Sequence, residues 1–164
     1  MELKGINTLT TFLDNWLSQH GFSAITTRIE PDFAYYRDSE TIAYALCVPD
    51  ETDVQFLTFL QDVLGLEYEV DPFLASFFHE LGHAETLDFF NNEDLIDYEF
   101  EKMLINMLEL PSFKYYSLDI ERAASAWAVD FIHDNPALIQ EFWQQCQPLI
   151  LNIYKLNNVE TEEI

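Results

Sequence analysis

The sequence predicts an α+β fold: one mostly helical domain with a small antiparallel sheet of two or three strands, on which a histidine-bearing helix packs. A chain of 164 residues with 49% apolar and 15% aromatic side chains can form one packed core. Apolar residues recur at helical spacing in most of the chain, whereas residues 23–47 are rich in β-branched and aromatic residues and lack that spacing. We therefore expect residues 1–158 to form a single domain and residues 159–164, with three Glu, to form a disordered acidic tail.

The N-terminal part of the chain predicts a helix followed by strands. One-sided apolar spacing indicates a helix over residues 7–20, with Asn7 or Thr8 able to cap its start and Gly21 to close its end. Residues 33–47 are typical of a hairpin around a polar turn, and a further short strand is expected before them.

The middle of the chain predicts two helices separated by an undecided segment. An amphipathic pattern over residues 52–64 indicates a helix that Gly65 ends. Residues 66–70 alternate in polarity and fit either a strand or an extended loop. Asp71 and Pro72 form a plausible N-cap and first-turn pair, after which apolar residues again follow helical spacing.

Three further helices are predicted in the C-terminal half. Capping groups at residues 91–94 start one that runs to about Leu110, just before a proline. Ser117 can cap the next helix, whose apolar face is rich in small residues. Residues 135–136 start the last region, in which Pro148 is expected to kink or restart the helix.

The charge of the chain is strongly unbalanced. Seven Lys and Arg stand against thirty Asp and Glu, which gives a formal net charge of −23. Such a surface repels phosphate backbones and anionic lipids, so it argues against direct nucleic-acid binding and gives no reason for membrane attachment. Two explanations stay open: the solvated surface of an ordinary enzyme, or mimicry of nucleic acid by a protein that occupies the DNA site of a basic partner.

The cysteines and the N-terminus indicate a reducing, cytoplasmic environment. Cys47 and Cys146 are far apart and form no CxxC pair, so the sequence predicts neither a disulfide framework nor a thiolate metal site. The N-terminal residues lack the basic and apolar pattern of a signal peptide, and no apolar run is long enough to span a bilayer.

The stretch with the clearest chemical content contains His79, Glu80 and His83. The two histidines are four residues apart and therefore lie on one face of the predicted helix, where two imidazoles can bind one metal ion. A catalytic zinc takes three protein ligands and keeps one position for water. Glu80 follows the first histidine, so it is expected beside the metal, where it can act as a general base. The alternative is a buried helix with two incidental histidines.

A third ligand is expected from a later helix, and Glu121 is the best candidate. It lies beside the apolar face of a helix with many small residues, which can pack closely on the histidine-bearing helix. Asp119 is the fallback ligand. The alternative for Glu121 is a solvent-facing position, loosely paired with Arg122 or Lys114.

Two stretches together resemble the ImmA/IrrE group of small zinc peptidases, within the wider gluzincin class. Residues 78–83 read Phe-His-Glu-Leu-Gly-His, matching the family's HELGH form. Residues 121–128 read Glu-Arg-Ala-Ala-Ser-Ala-Trp-Ala and are similar to the family's later helix, usually Glu-x-Glu-Ala-Asn-x-Phe-Ala. The resemblance implies a zincin-like fold in which the two histidines and Glu121 bind zinc and Glu80 is the general base.

The chain departs from the family pattern at the positions that would support the ligands. Ala123 replaces the second Glu of the later motif, Ser125 replaces the usual Asn, and residues 84–88 make the predicted cleft mouth more acidic. Members of the family are often encoded on phages and mobile elements, and some cleave a helix-turn-helix repressor. The resemblance therefore implies a protein or peptide substrate such as a DNA-binding repressor, although this chain shows no DNA-binding helix pair of its own.

These features predict zinc-assisted hydrolysis of a peptide bond. A second electrophile is needed for the tetrahedral oxyanion, and His133, Tyr115 and Tyr116 are candidates because they are near Glu121 in sequence; surface or packing roles are the alternative for all three. A regulatory module with an inactive zinc site and a nucleic-acid mimic are the competing functions. The sequence leaves the oligomeric state open.

Overall fold

The computed structural model of the chain describes residues 3–157, so the tail predicted at residues 159–164 lies outside the described residues. The chain divides into two compact units. The second unit is Pro49–Asp134, and the first combines the segments on either side of it. A compact unit need not fold alone, so the single domain expected over residues 1–158 stays a prediction. No helix among the described residues has both the length and the apolarity needed to cross a bilayer.

The structure is mostly helical with one small sheet, which confirms the predicted α+β class. The helices are α1 (Ile6–Gln19), α2 (Glu51–Asp62), α3 (Pro72–Thr86), α4 (Asn92–Met107), α5 (Ser112–Tyr116), α6 (Asp119–Asp134) and α7 (Pro136–Leu156). The strands are β1 (Thr26–Ile29), β2 (Ala34–Tyr36) and β3 (Thr41–Tyr44). A single 3₁₀ turn, Leu87–Phe89, follows α3.

The sheet of the first unit has the order β1-β3-β2 and is mixed, so the prediction of an antiparallel sheet was wrong for one pair. β2 and β3 form the predicted antiparallel hairpin, whereas β1 pairs with β3 in parallel. All four residues of β3 are buried, which suits a central strand. The chain reverses its direction between β1 and β2 and again between β2 and β3, so β1 and β3 run the same way. β1 pairs with the edge of β3 that is opposite to β2.

Among the described residues, α1 and α7 complete the first unit, and each differs from the prediction in one detail. Neither Asn7 nor Thr8 caps α1; the N-cap is Gly5, whose φ of 87° is in the left-handed region. Gly21, with a φ of 91°, does close α1 as predicted. α7 runs through Pro148 as one helix without a restart, since buried residues on both sides of the proline hold its inner face.

The second unit is built around the contact between α3 and α6. Asp71 caps α3 as predicted, since its carboxylate accepts a hydrogen bond from Phe73 N at 2.8 Å. Gly82 lies where the two helices cross, and a Cβ built there would be 2.2 Å from the carbonyl oxygen of Ala124. Ala124 and Ala128 of α6 are buried, so small residues allow the close approach that the sequence predicts.

The connections in the second unit depart from prediction at two places and decide one choice that the sequence leaves open. Residues 66–70 are an irregular segment, which decides the open choice in favour of a loop. α4 ends at Met107, before the predicted Leu110, and Glu109 then takes a left-handed φ of 50°. Ser117 does not cap α6: its hydroxyl donates to the carbonyl of Phe113 and so helps to end the unpredicted helix α5. The sheet and α3 belong to different units, and the expected packing of one on the other stays a prediction.

Candidate metal centre

The helix α3 presents His79 and His83 on one face, one turn apart, as the sequence predicts. The centroids of their rings are 4.7 Å apart, and each residue keeps 8% of its surface exposed. Most of the residues around them on α3 are apolar and buried, so this helix lies inside the second unit. The two imidazoles are thereby held together in a largely dehydrated environment.

Glu121 of α6 reaches both imidazoles. One of its carboxylate oxygens, Oε1, lies 3.3 Å from His79 Nε2 and 3.2 Å from His83 Nε2, and Oε2 lies 2.8 Å from His83 Nε2. Glu121 is 2% exposed, and the three ligand atoms all lie within 4.8 Å of one another. The structure therefore brings together the three residues that were predicted as ligands, and it does so because α6 can approach α3 closely at Gly82.

The charges of these groups are strongly coupled. Burial by itself would raise the pKa of Glu121, but hydrogen bonds and attraction from His79 and His83 hold that pKa far below its usual range. Burial would likewise lower the pKa of His79, but the hydrogen bond and charge of Glu121 raise it above its ordinary value. A cation at this position, whether a proton or a metal ion, is thus stabilised by a buried carboxylate.

Ser125 orients the first imidazole. Its Oγ lies 2.8 Å from His79 Nδ1, and its side chain is completely buried one turn after Glu121 on α6. With Nδ1 occupied by this hydrogen bond, Nε2 of His79 is the nitrogen directed at Glu121, which is how metal-binding histidines are commonly fixed in one tautomer. Ser125 therefore supplies a hydrogen bond that holds the first imidazole in place.

Tyr98 is a residue of the site that sequence reasoning missed. Its hydroxyl donates to Oε2 of Glu121 at 3.1 Å from the neighbouring helix α4. Tyr115 also interacts with both Tyr98 and Glu121, and burial together with the negative charge of Glu121 raises the pKa of both tyrosines. Both phenols therefore stay protonated and able to donate. No local pattern marks Tyr98, because its role depends on how α4 lies beside α6.

Glu80 lies on α3 next to the first histidine and keeps 7% of its surface exposed. Burial raises the pKa of its carboxyl group, and the charges of His79 and His83 oppose that rise. Within residues 3–157 no hydrogen bond to its carboxylate is formed, and no fully enclosed side-chain polar atom lacks a partner. Its oxygens are therefore accessible to a small molecule such as water.

The remaining predicted site residues lie elsewhere. His133 is three turns beyond Glu121 on α6, about 18 Å along the helix, and its Nε2 accepts a hydrogen bond from Glu67 N at 3.1 Å. The hydroxyl of Tyr116 donates to the carbonyl of Thr52 at 3.3 Å, and its ring packs on Phe59 of α2. Asp119, the fallback ligand, is exposed at the start of α6. The structure brings only Tyr115, among the predicted stabilisers, beside the ligand group.

The donor set fits a divalent metal ion. Two imidazole nitrogens and one carboxylate are the ligands of a common class of catalytic zinc site, which keeps a fourth position open. The three side chains are buried and preorganised, with His79 fixed by Ser125 and Glu121 by Tyr98. No Lys or Arg side chain within residues 3–157 forms an ion pair with Glu121.

Comparison with known proteins leaves the family of this chain open. No protein-family model matches the sequence, and neither a curated protein nor a solved structure is similar enough to count as a match.

Proposed function

We propose that this protein is a zinc-dependent peptidase that hydrolyses peptide bonds in a specific protein substrate. The observation that carries the proposal is the convergence of His79, His83 and Glu121 from two crossing helices, with Glu80 next to His79 on α3. The resemblance to the ImmA/IrrE group supports the same reading, because the four residues occupy its motif positions. The fold is accordingly proposed to be zincin-like.

Each residue of the site has a role in the proposed reaction. His79, His83 and Glu121 would hold zinc, which when bound supplies the Lewis acidity that activates water and polarises a carbonyl. The carboxylate of Glu80 takes a proton from the attacking water and returns it to the leaving nitrogen. The hydroxyl of Tyr115 is the proposed donor to the developing oxyanion.

The substrate is proposed to be a cytoplasmic protein, and a DNA-binding repressor is the class that the family resemblance favours. The net charge of −23 is compatible with a basic protein of that kind and disfavours nucleic acid itself as a ligand. The active site would then act on a protein that the acidic surface attracts electrostatically.

Metal analysis is the first test. Purified native protein should contain about one zinc per chain, and His79→Ala should remove most of it, because two remaining ligands bind zinc weakly. His133→Ala is the matched control, since it removes a histidine that holds the loop at Glu67 and should leave the zinc content unchanged. Equal metal content in all three proteins would contradict the proposed site.

Catalysis is tested separately with Glu80→Gln, which keeps the size of the side chain and removes the base. A proteome-derived peptide library, read by mass spectrometry for new termini, avoids the need to know the substrate. Native protein should cleave a restricted set of sequences, and Glu80→Gln should retain zinc but lose at least about a hundredfold in rate. Cleavage by the variant at the native rate would rule out the mechanism.

A catalytically inactive, acidic interaction protein is the second candidate, and the charge of −23 is the observation that favours it. A regulatory module with a zinc site would take up metal without cleaving any peptide in the library. A nucleic-acid mimic would compete with DNA for a basic partner, and this competition would persist in His79→Ala because it does not need the metal.

A further inference from the structure

The outer face of α4 carries a row of exposed apolar side chains, here called the α4 stripe. It consists of Ile96, Phe100, Met103 and Met107, which are between 46% and 70% exposed. Their spacing of four, three and four residues places them on one side of the helix. No residue of α4 is fully buried, and the four residues of the stripe are exposed to water. An exposed apolar row of this kind indicates an interaction site.

The opposite face of α4 is anchored, which fixes the direction of the stripe. Tyr98 is two residues from both Ile96 and Phe100, so it points about half a turn away from them. Its hydroxyl donates to Glu121, and α4 also contacts α5. The stripe is therefore the outward face of an oriented helix.

The borders of the α4 stripe are acidic. On a helical projection Glu93, Asp97 and Glu101 follow one side of it, and Glu99 lies on the other. The one basic residue of α4, Lys102, lies 3.3 Å from Glu99, with which it forms an ion pair. The surface thus combines an apolar centre with negatively charged edges.

We propose that the α4 stripe is a docking surface for a basic amphipathic helix of a partner protein. Ile96 and Met107 are about 16 Å apart along the axis, which matches roughly three turns of a partner helix. Apolar residues on that helix would pack against the stripe, while Lys or Arg at its edges would face the carboxylates. A second copy of the chain or an anionic lipid surface would instead place like charges against each other.

A designed peptide tests the surface without knowledge of the natural partner. The peptide has about four helical turns, with Leu at the i, i+3, i+4 and i+7 positions and Lys at the borders. It should bind the protein at least about tenfold more tightly than a scrambled peptide of the same composition, and should gain helix content on binding. Because the surface does not involve the metal ligands, this result is expected with and without a chelator.

Variants locate the binding surface. Phe100→Ser and Met103→Ser remove exposed side chains without touching a core, and each should weaken binding by about tenfold. Val54→Ser is the matched control, since it removes a 60% exposed apolar side chain from the apolar groove of ≈ 370 Å³ between α2 and α5. Asp97→Lys should also weaken binding and reduce its dependence on salt.

Four outcomes would overturn the proposal. If the scrambled peptide binds equally well, the protein recognises charge alone. If only Val54→Ser loses binding, the peptide lies in the groove between α2 and α5. If sedimentation shows that the native protein is a dimer and that Phe100→Ser is a monomer, the stripe binds a second copy of the chain. Binding to zwitterionic vesicles that Phe100→Ser abolishes would make the stripe a lipid surface.

Discussion

At the scale of single residues, two hydrogen bonds decide how the ligand group is held. Ser125 holds the imidazole of His79 from α6, and Tyr98 holds the carboxylate of Glu121 from α4. Neither residue need touch a metal ion, yet each limits the rotation of a side chain that would. Groups of this kind commonly change metal affinity by tenfold or more when they are removed.

Tyr98→Phe should weaken zinc binding by about tenfold, because Glu121 loses a donor that fixes its orientation. The phenyl ring stays, so packing of α4 should be nearly unchanged. Competition with a chromophoric chelator measures the dissociation constant. Tyr68→Phe, which removes the hydroxyl of a 43% exposed tyrosine far from α4 in sequence, is the control and should bind zinc as the native protein does. If both variants bind zinc with the same affinity, the hydroxyl of Tyr98 does not hold the carboxylate of Glu121 in its binding orientation.

Zinc affinity should fall as the pH falls. The pKa of His79 is raised in the metal-free protein, so the imidazole keeps a proton to a higher pH than usual and zinc must displace it. Below that pKa, one displaced proton makes the apparent dissociation constant rise roughly tenfold for each pH unit. Titrations between about pH 6 and 8 measure the slope. A flat profile over this range would contradict the participation of His79.

At the scale of secondary-structure elements, the crossing of α3 and α6 determines the site. The backbone of Ala124 approaches Gly82 so closely that no side chain fits between them. Gly82 is one residue before His83, and Ala124 is one turn after Glu121. The crossing point and the ligand group are thus adjacent, so a change in helix separation moves the carboxylate relative to the imidazoles.

Gly82→Ala should strongly destabilise the fold, although Ala is the better helix former. Helix propensity would stabilise α3 by about 1 kcal/mol, but a contact of 2.2 Å with a backbone oxygen forces the helices apart and costs about 3 kcal/mol. Chemical denaturation measures the free energy of unfolding. Ser76→Ala, at a half-buried position of α3, is the control and should change it by less than about 0.5 kcal/mol. A Gly82→Ala protein that is more stable than the native protein would show that α3 and α6 can move apart at little cost.

At the scale of the whole molecule, the main physical feature is the net charge of −23. Like charges on a compact chain repel one another more strongly than on an unfolded one, so the excess of carboxylates destabilises the folded state. The same field slows approach of anions and attracts cationic segments, which suits both the proposed substrate class and the proposed partner of the α4 stripe.

Salt should therefore stabilise the metal-free protein. Raising NaCl from low to about 0.5 M shortens the screening length severalfold, and the melting temperature should rise by several degrees. Calorimetry in the presence of a chelator measures the melting temperature. The double variant Asp97→Asn, Glu101→Gln removes two exposed charges, so it should melt higher at low salt and respond less to NaCl. A melting temperature that is independent of salt would mean that the acidic residues are too far apart to repel.

Much of the local structure could be predicted, because it depends on residues that are near each other in the chain. Asp71 at the start of α3 and Gly21 at the end of α1 act as their chemistry predicts, and the hairpin of β2 and β3 follows from a polar turn between apolar runs. The predicted caps Asn7 and Ser117 were wrong, since several residues can satisfy the same helix end and tertiary contacts choose among them.

The sequence by itself determined that His79, Glu80 and His83 share one turn of helix, since a spacing of four residues fixes that geometry wherever the helix lies. Only the tertiary structure decided that Glu121 meets both imidazoles, that Tyr98 supports it, and that His133 lies well away along α6. It also decided that β1 runs parallel to β3. These relations depend on which surfaces pack together, and packing is set by the shapes of many side chains that are distant in the chain.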